Sequence, residues 1–185
     1  VSSESVLDDF ARSIDVRALS TEQFVRLLET LHMLDTVGAG VSLTSLSTEV
    51  LAGIVGRASK EQIRGIAQHP ELRAVFLDEI FRRMSEHFLP EKAQHLSIVV
   101  GWRFPDGADD FDRFQTVIEA GRCVSSADCA RSADTTITVA VEDFIRMATG
   151  NAAVATMFVT GKVKVKGEYA PAVRFSSYFD IPKGA

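Results

Sequence analysis

Apolar residues recur along the first half of the chain at spacings of three and four, the period of one helix face. Val6, Leu7, Phe10 and Ile14 form a first stripe, and Phe24, Leu27, Leu28 and Leu31 a second. Ser20 and Gln23 have the spacing of a reciprocal N-terminal cap ahead of the second stripe, and Gly38 and Gly40 break it off. A third helix is predicted from about Ser47, with Val50, Leu51, Ile54 and Val55 inward. A fourth starts at Ser59, again with Gln62 three residues on, and carries Ile63 and Ile66. It stops before Pro70, which disfavours helical geometry at His69. Pro70 suits the first turn of a longer helix, where its missing N–H would have no partner anyway. From there Leu72, Val75, Phe76, Ile80, Met84 and Phe88 hold the helical period, Leu77 and Phe81 widen it, and Pro90 ends the run.

The period then changes from 3.6 to 2. Leu96, Ile98, Val100, Trp102 and Phe104 share one parity, and Ser97, Gly101 and Arg103 take the other, so a strand with one large apolar face is predicted. Pro105-Asp106-Gly107 signals a turn, and Asp109, Asp110 and Asp112 make the next loop acidic. A second, antiparallel strand runs from Phe114 to Ala120 with Phe114, Thr116 and Ile118 inward, and Gly121 marks a bend, a register change or a tight turn. Ser125, Ser126 and Asp128 read as loop. Thr135 to Val141 alternates again as a strand; Glu142 and Asp143 then open a short helix whose apolar side is Phe144, Ile145, Met147 and Ala148, and Gly150 stops it. A short apolar linker leads to a strand in which Lys162, Lys164 and Lys166 face one way and Val163 and Val165 the other. Tyr169 to Phe179 closes the chain as an amphipathic helix, with Pro171 in its first turn. The expected class is α+β, with a helical extension over residues 1–69 and a sheet-and-helix domain over residues 70–185.

Totals narrow the function classes. At 185 residues, 46% hydrophobic and 24% charged, the chain is long enough for one well-buried domain carrying an extension. A net charge of −5 gives no general pull toward nucleic acid. No apolar run is long enough to span a bilayer, and the acidic first ten residues lack the pattern of an export signal. A cytoplasmic location is expected, with Cys123 and Cys129 as reduced thiols whose spacing matches no usual zinc or redox motif.

Chemistry-bearing groups do not cluster. His32, His69, His87 and His95 show no metal-ligand spacing, and no serine lies in a G-x-S-x-G turn. The acidic loop lacks the central Gly and final Glu of a calcium loop and reads as a solvated turn. Gly38 to Gly40 lacks the Lys-Ser/Thr of a phosphate loop and reads as a helix–helix turn. Cys123 is a nucleophile only if the fold brings a base beside it. No cofactor, metal or catalytic constellation is expected, so the chain reads as non-enzymatic.

The order of strand, short helices, glycine-bounded strand and closing helix resembles the sterol carrier protein-2 domain. Ala133-Asp134, Glu142-Asp143-Phe144, Thr149-Gly150, Met157-Phe158 and the run from Gly161 to Gly167 carry the likeness, which covers about Pro70 to Ile181. Small stand-alone actinobacterial members, mycobacterial ones included, that place a helical preamble ahead of such a domain are similar in arrangement. The resemblance implies a mostly antiparallel sheet covered on one face by helices that enclose an apolar cavity, with the closing segment over its mouth. Phe76, Ile80, Phe81, Met84 and Phe88 are then expected to line it from the long helix, and Val100, Trp102, Phe104, Phe114 and Ile118 from the sheet. Met147, Met157, Phe158, Phe175 and Phe179 complete the expected wall.

The ligand implied is a fatty acid, sterol or phospholipid, bound and transferred without covalent chemistry. At roughly 0.8 kcal/mol per buried methylene, a chain of about fourteen gains on the order of 10 kcal/mol, less several for lost freedom. The lysine strand reads as a solvated face, or else as transient contact with anionic membrane lipid during loading. The rival reading is an interaction protein that uses its helical extension or an open apolar groove to bind a protein partner.

Overall fold

The structure, a computed structural model, describes residues 3–38, 43–106 and 111–182. Among these are eight α-helices and five strands: α1 Ser3–Ser13, α2 Thr21–Thr36, α3 Thr48–Arg57, α4 Lys60–Gln68, α5 Pro70–Glu86, β1 Ile98–Pro105, β2 Phe111–Glu119, β3 Arg122–Ser126, β4 Thr135–Val139, α6 Val141–Ala148, α7 Val154–Val159, β5 Val163–Gly167 and α8 Tyr169–Arg174. Two compact units emerge. One comprises Val1–Ile80, Ile145–Asn151 and Pro182–Ala185; the other comprises Phe81–Phe144 and Ala152–Ile181.

The first unit is helical, and its starts are chemically marked. Ser20 and Ser59 accept the backbone N–H of Gln23 and Gln62, while each Gln side chain accepts the N–H of its serine. These are the two reciprocal caps expected from spacing. Gln62, 2% exposed, also donates to the carbonyls of Val16 and Leu19, both at 2.9 Å, so one side chain caps a helix and ties down the segment ahead of α2. Asp8 accepts the N–H of Ser47 at 2.9 Å. Asn151 donates to the carbonyl of Ala52 at 2.9 Å, which holds the end of the α6 segment on α3. Phe24, Val50, Ile63, Ile66, Leu72 and Leu77 are buried at its centre.

The second unit is the sheet with its helices. Strand order is β3-β2-β1-β4-β5; β1 pairs antiparallel with β2 and parallel with β4, while β2–β3 and β4–β5 are antiparallel. The sheet is therefore mostly antiparallel, as expected. Ser125 and Ser126, read as loop from the sequence, belong to β3. Their strand is short, exposed and rich in polar residues, so alternation leaves little signal. A two-residue turn joins β2 to β3 with both φ values positive, 52° at Ala120 and 73° at Gly121, the geometry that suits a tight hairpin. The expected apolar linker contains α7. The closing segment is α8, with Pro171 tolerated in its first turn, followed by a 3-10 turn over Phe175–Tyr178 in place of one continuous helix. Gly167 sits at φ 95°, and a Cβ there would lie 2.6 Å from the carbonyl oxygen of Asp134. Gly40, Gly107, Asp109, Asp110 and Gly184 lie outside the described residues.

Candidate lipid-binding site

Alternation along the strands builds the inner face of the sheet. Val100, Trp102 and Phe104 of β1, Phe114 and Ile118 of β2, and Ile137 and Val139 of β4 are all buried. Phe81 of α5 lies over them, with ring centroids 5.7 Å from Trp102, 6.1 Å from Phe104 and 5.0 Å from Phe114. Phe144, in the first turn of α6, closes the same cluster at 5.1 Å from Phe81, 5.2 Å from Trp102 and 5.0 Å from Phe104. Contacts of this kind, tilted and edge-on, add to the burial of each ring.

The closing segment reaches the cluster from the other side. Phe175 meets Trp102 edge-on at 5.3 Å, Phe179 lies 5.0 Å from Phe175, and Phe88 lies 5.8 Å from Phe179. Two backbone bonds fix it: Leu89 N–H donates to the carbonyl of Tyr178 and Asp180 N–H to that of His87, both at 2.8 Å. Residues 87–89 and 178–180 thus form a narrow strap of main chain across the aromatic rings.

Polar atoms on this face are few and mostly paired. Trp102 Nε1–H donates to Thr116 Oγ1 at 2.9 Å, and Thr116 shares a hydrogen bond of 2.7 Å with Ser125. Thr135, 1% exposed, lies in the same cross-strand row, because Val100 pairs with Thr116 on one side and Thr135 on the other. Its Oγ1 is the buried side-chain oxygen without a hydrogen-bond partner among the described residues. Cys123 also borders this face, opposite Ile118, and burial pushes its thiol up to about 11, a hydrogen bond with Ser85 acting the other way. Such a thiol stays protonated at neutral pH and is a poor nucleophile. Among the described residues no three His, Cys, Asp or Glu side chains form a metal-binding group.

The residues expected to line a cavity separate into three sets. Phe81, Trp102, Phe104, Phe114, Phe175 and Phe179 are joined through ring contacts, with Phe88 attached through Phe179; Met84, Val100, Ile118 and Met157 are buried in the same unit. Phe158 packs on Tyr169 at 5.8 Å, near the start of α8. Phe76, Ile80 and Met147 belong to the helical unit, where Phe76 lines an apolar cleft of about 30 Å³ with Phe24, Leu28, Leu31 and Leu51. Sequence reasoning missed Phe144 as a member of the aromatic cluster, although its place on the apolar side of a helix following β4 was the available signal.

Comparison with known proteins fits this architecture. A model of the SCP-2 sterol transfer family matches residues 78–180, more than half of the chain. A search of curated protein sequences gives no match. Among solved structures, the stereoselective inverting sec-alkylsulfatase from Pseudomonas sp. is similar in fold at 13% identity and TM-score 0.52, over 94% of this chain and 32% of the sulfatase. The chain thus spans about a third of that enzyme's length. Sterol carrier protein 2 like 2 from Aedes aegypti aligns at 17% identity and TM-score 0.43, over 55% of this chain and 91% of its own. Sterol carrier protein 2 from Yarrowia lipolytica aligns at 20% identity and TM-score 0.39, over 51% and 89%. On the family match, which covers the sheet and the helices that flank it, the chain belongs to the SCP-2 sterol transfer family.

Proposed function

We propose that the chain is a non-enzymatic lipid-binding and lipid-transfer module that takes a fatty acyl, sterol or phospholipid ligand between the inner face of its sheet and the helices on it. Membership of a sterol transfer family supports lipid binding in general. The observation that carries the finer reading is the strap over the aromatic cluster. Two backbone hydrogen bonds and the ring contacts of Phe88, Phe175 and Phe179 hold it. Net hydrogen-bond contributions of roughly 1 kcal/mol each leave such a strap able to open at modest cost. Displacing it exposes Trp102 and the rings behind it to an apolar chain, which replaces ring–ring burial with ring–ligand burial.

Thr135 Oγ1 gives the interior one hydrogen-bonding site to offer, and the hydroxyl or carboxyl of a lipid would satisfy it. Lys162, Lys164 and Lys166 provide weak, salt-sensitive attraction to an anionic membrane while the ligand exchanges. Native mass spectrometry of the purified protein, followed by solvent extraction, tests the reading. A stoichiometric lipid released on extraction is the expected result. A protein that carries none and takes up neither fluorescent fatty acid nor sterol sinks it.

A second reading rests on the sulfatase likeness, which extends over 88–94% of the chain and so includes its helical unit. In this reading the module serves a larger lipid-processing enzyme by holding the apolar part of its substrate. Uptake of secondary alkyl sulfates in clear preference to fatty acids and sterols would favour it over free transfer.

A further inference from the structure

The face of the sheet opposite the aromatic cluster has a different chemistry. A hollow of about 440 Å³ lies there, with Gly101 on its floor and Arg103, Arg113, Arg131 and Lys166 on its walls. That volume falls within the usual range of small-molecule sites. Gly101 leaves the floor low: a Cβ at this position would come within 3.1 Å of Ala133 Cβ and 3.3 Å of Thr136 Oγ1.

One wall is held in place by a buried polar side chain. Gln115 pairs with Gly101 across β1 and β2 and so points outward, yet it is only 5% exposed. It donates to the carbonyl of Arg131 at 2.5 Å and accepts the N–H of Arg131 at 3.2 Å. The loop between β3 and β4 is thereby clamped over the sheet, and Arg131 with it.

The charges converge instead of spreading. Arg103 and Arg113 are directly opposed on neighbouring strands, an arrangement that normally destabilises a sheet. Both guanidinium groups lie over the ring of Phe111, at 4.0 and 4.5 Å, so one aromatic ring supports two like charges. Two carboxylates bear on the hollow. Asp134 lines it while accepting the N–H of Val99 at 2.8 Å, and Glu119 pairs with Arg131 at 3.0 Å. Four cations therefore face one lining carboxylate, on a chain whose net charge is −5. Planar guanidinium groups match the oxygen spacing of a tetrahedral oxyanion in two-point hydrogen bonds.

We propose that this hollow binds a phosphate or sulfate ester group, held by Arg103, Arg113 and Lys166, with Gln115 positioning Arg131. The site goes beyond the lipid reading and does not depend on it, since the two lie on opposite faces of the sheet. The ester belongs either to a small soluble molecule or to a lipid headgroup. Calorimetric titration with glycerol 3-phosphate and co-sedimentation with phosphatidylglycerol vesicles in a phosphatidylcholine background separate the two sources. Saturable binding of glycerol 3-phosphate identifies a soluble ester; binding to the vesicles alone identifies a headgroup. In either case the Arg103→Gln/Arg113→Gln variant should lose at least tenfold in affinity, while Lys92→Gln should bind as the parent does. Circular dichroism checks that the double variant keeps its fold, and Lys166→Gln supplies an independent single-charge test. Phe175→Leu, on the inner face and away from the hollow, should leave glycerol 3-phosphate binding unchanged, which keeps a failure of the interior lipid site distinguishable. Absence of binding to both probes, or binding that the double variant retains, overturns the proposal.

Discussion

The two faces of the sheet are built from alternate residues of the same strands, and they share almost nothing. Along β1, Val100, Trp102 and Phe104 are buried under aromatic rings, while Gly101 and Arg103 between them border a cationic hollow. Across β4 and β5 the contrast repeats, with Ile137 and Val163 buried and Lys164 and Lys166 exposed. A slip of one residue in register would exchange the two sets completely, so the apolar face fixes the charged one without any contact between them. Chemistry on one side can therefore be changed with little consequence for the other.

The largest effect should come from the inner face. Trp102→Ala removes a ring that touches Phe81, Phe104, Phe144 and Phe175, and should cost about 3–5 kcal/mol in urea unfolding while weakening lipid uptake. A cost under about 1 kcal/mol would show that the cluster is not a packed core. Next comes a pH effect at Cys123. Its thiol is pushed up from 9.0 to about 11, so the unfolded chain loses this proton first as pH rises. Stability should fall between about pH 9 and 11, by less than ~2.7 kcal/mol in total, and Cys123→Ala should flatten that fall in a series of thermal melts. Thr135→Val should be smaller and opposite in sign. Replacing an unpaired buried hydroxyl with a methyl group should raise stability by about 1 kcal/mol and lower affinity for a hydroxylated ligand. Arg103→Gln on the outer face should change stability by no more than about 0.5 kcal/mol. A larger loss there would mean that the two faces are coupled after all.

Legibility from the sequence followed the strength of the local signal. The caps at Ser20 and Ser59, the start of α5 at Pro70 and the inward parity of β1 rest on short-range chemistry, and all are present in the structure. Strand β3 escaped because a five-residue strand with Cys123 and Val124 among polar neighbours shows no period. The hollow escaped for another reason. Arg131 is sixteen residues from Gln115 and Lys166 is sixty-three from Arg103, so only strand pairing and a loop clamp bring them to one place. Arg103, at an outward position of its expected strand, was the visible part of it; Arg113 lay just ahead of the strand expected from Phe114 and falls in β2 in the structure.

Among the described residues strand β5 is an edge, with β4 on one side and no further strand on the other. An open edge of this kind invites a second copy of the chain to extend the sheet, which is how soluble folds begin to aggregate. Here the edge is only five residues long, and Lys164 and Lys166 alternate along it. A copy docking strand to strand would have to bring its own lysines alongside these in low-salt conditions. Lys166, which lines the outer hollow, thus shares with Lys164 a second consequence: like charges at this edge would oppose strand-to-strand docking of copies, and high salt would relax that opposition.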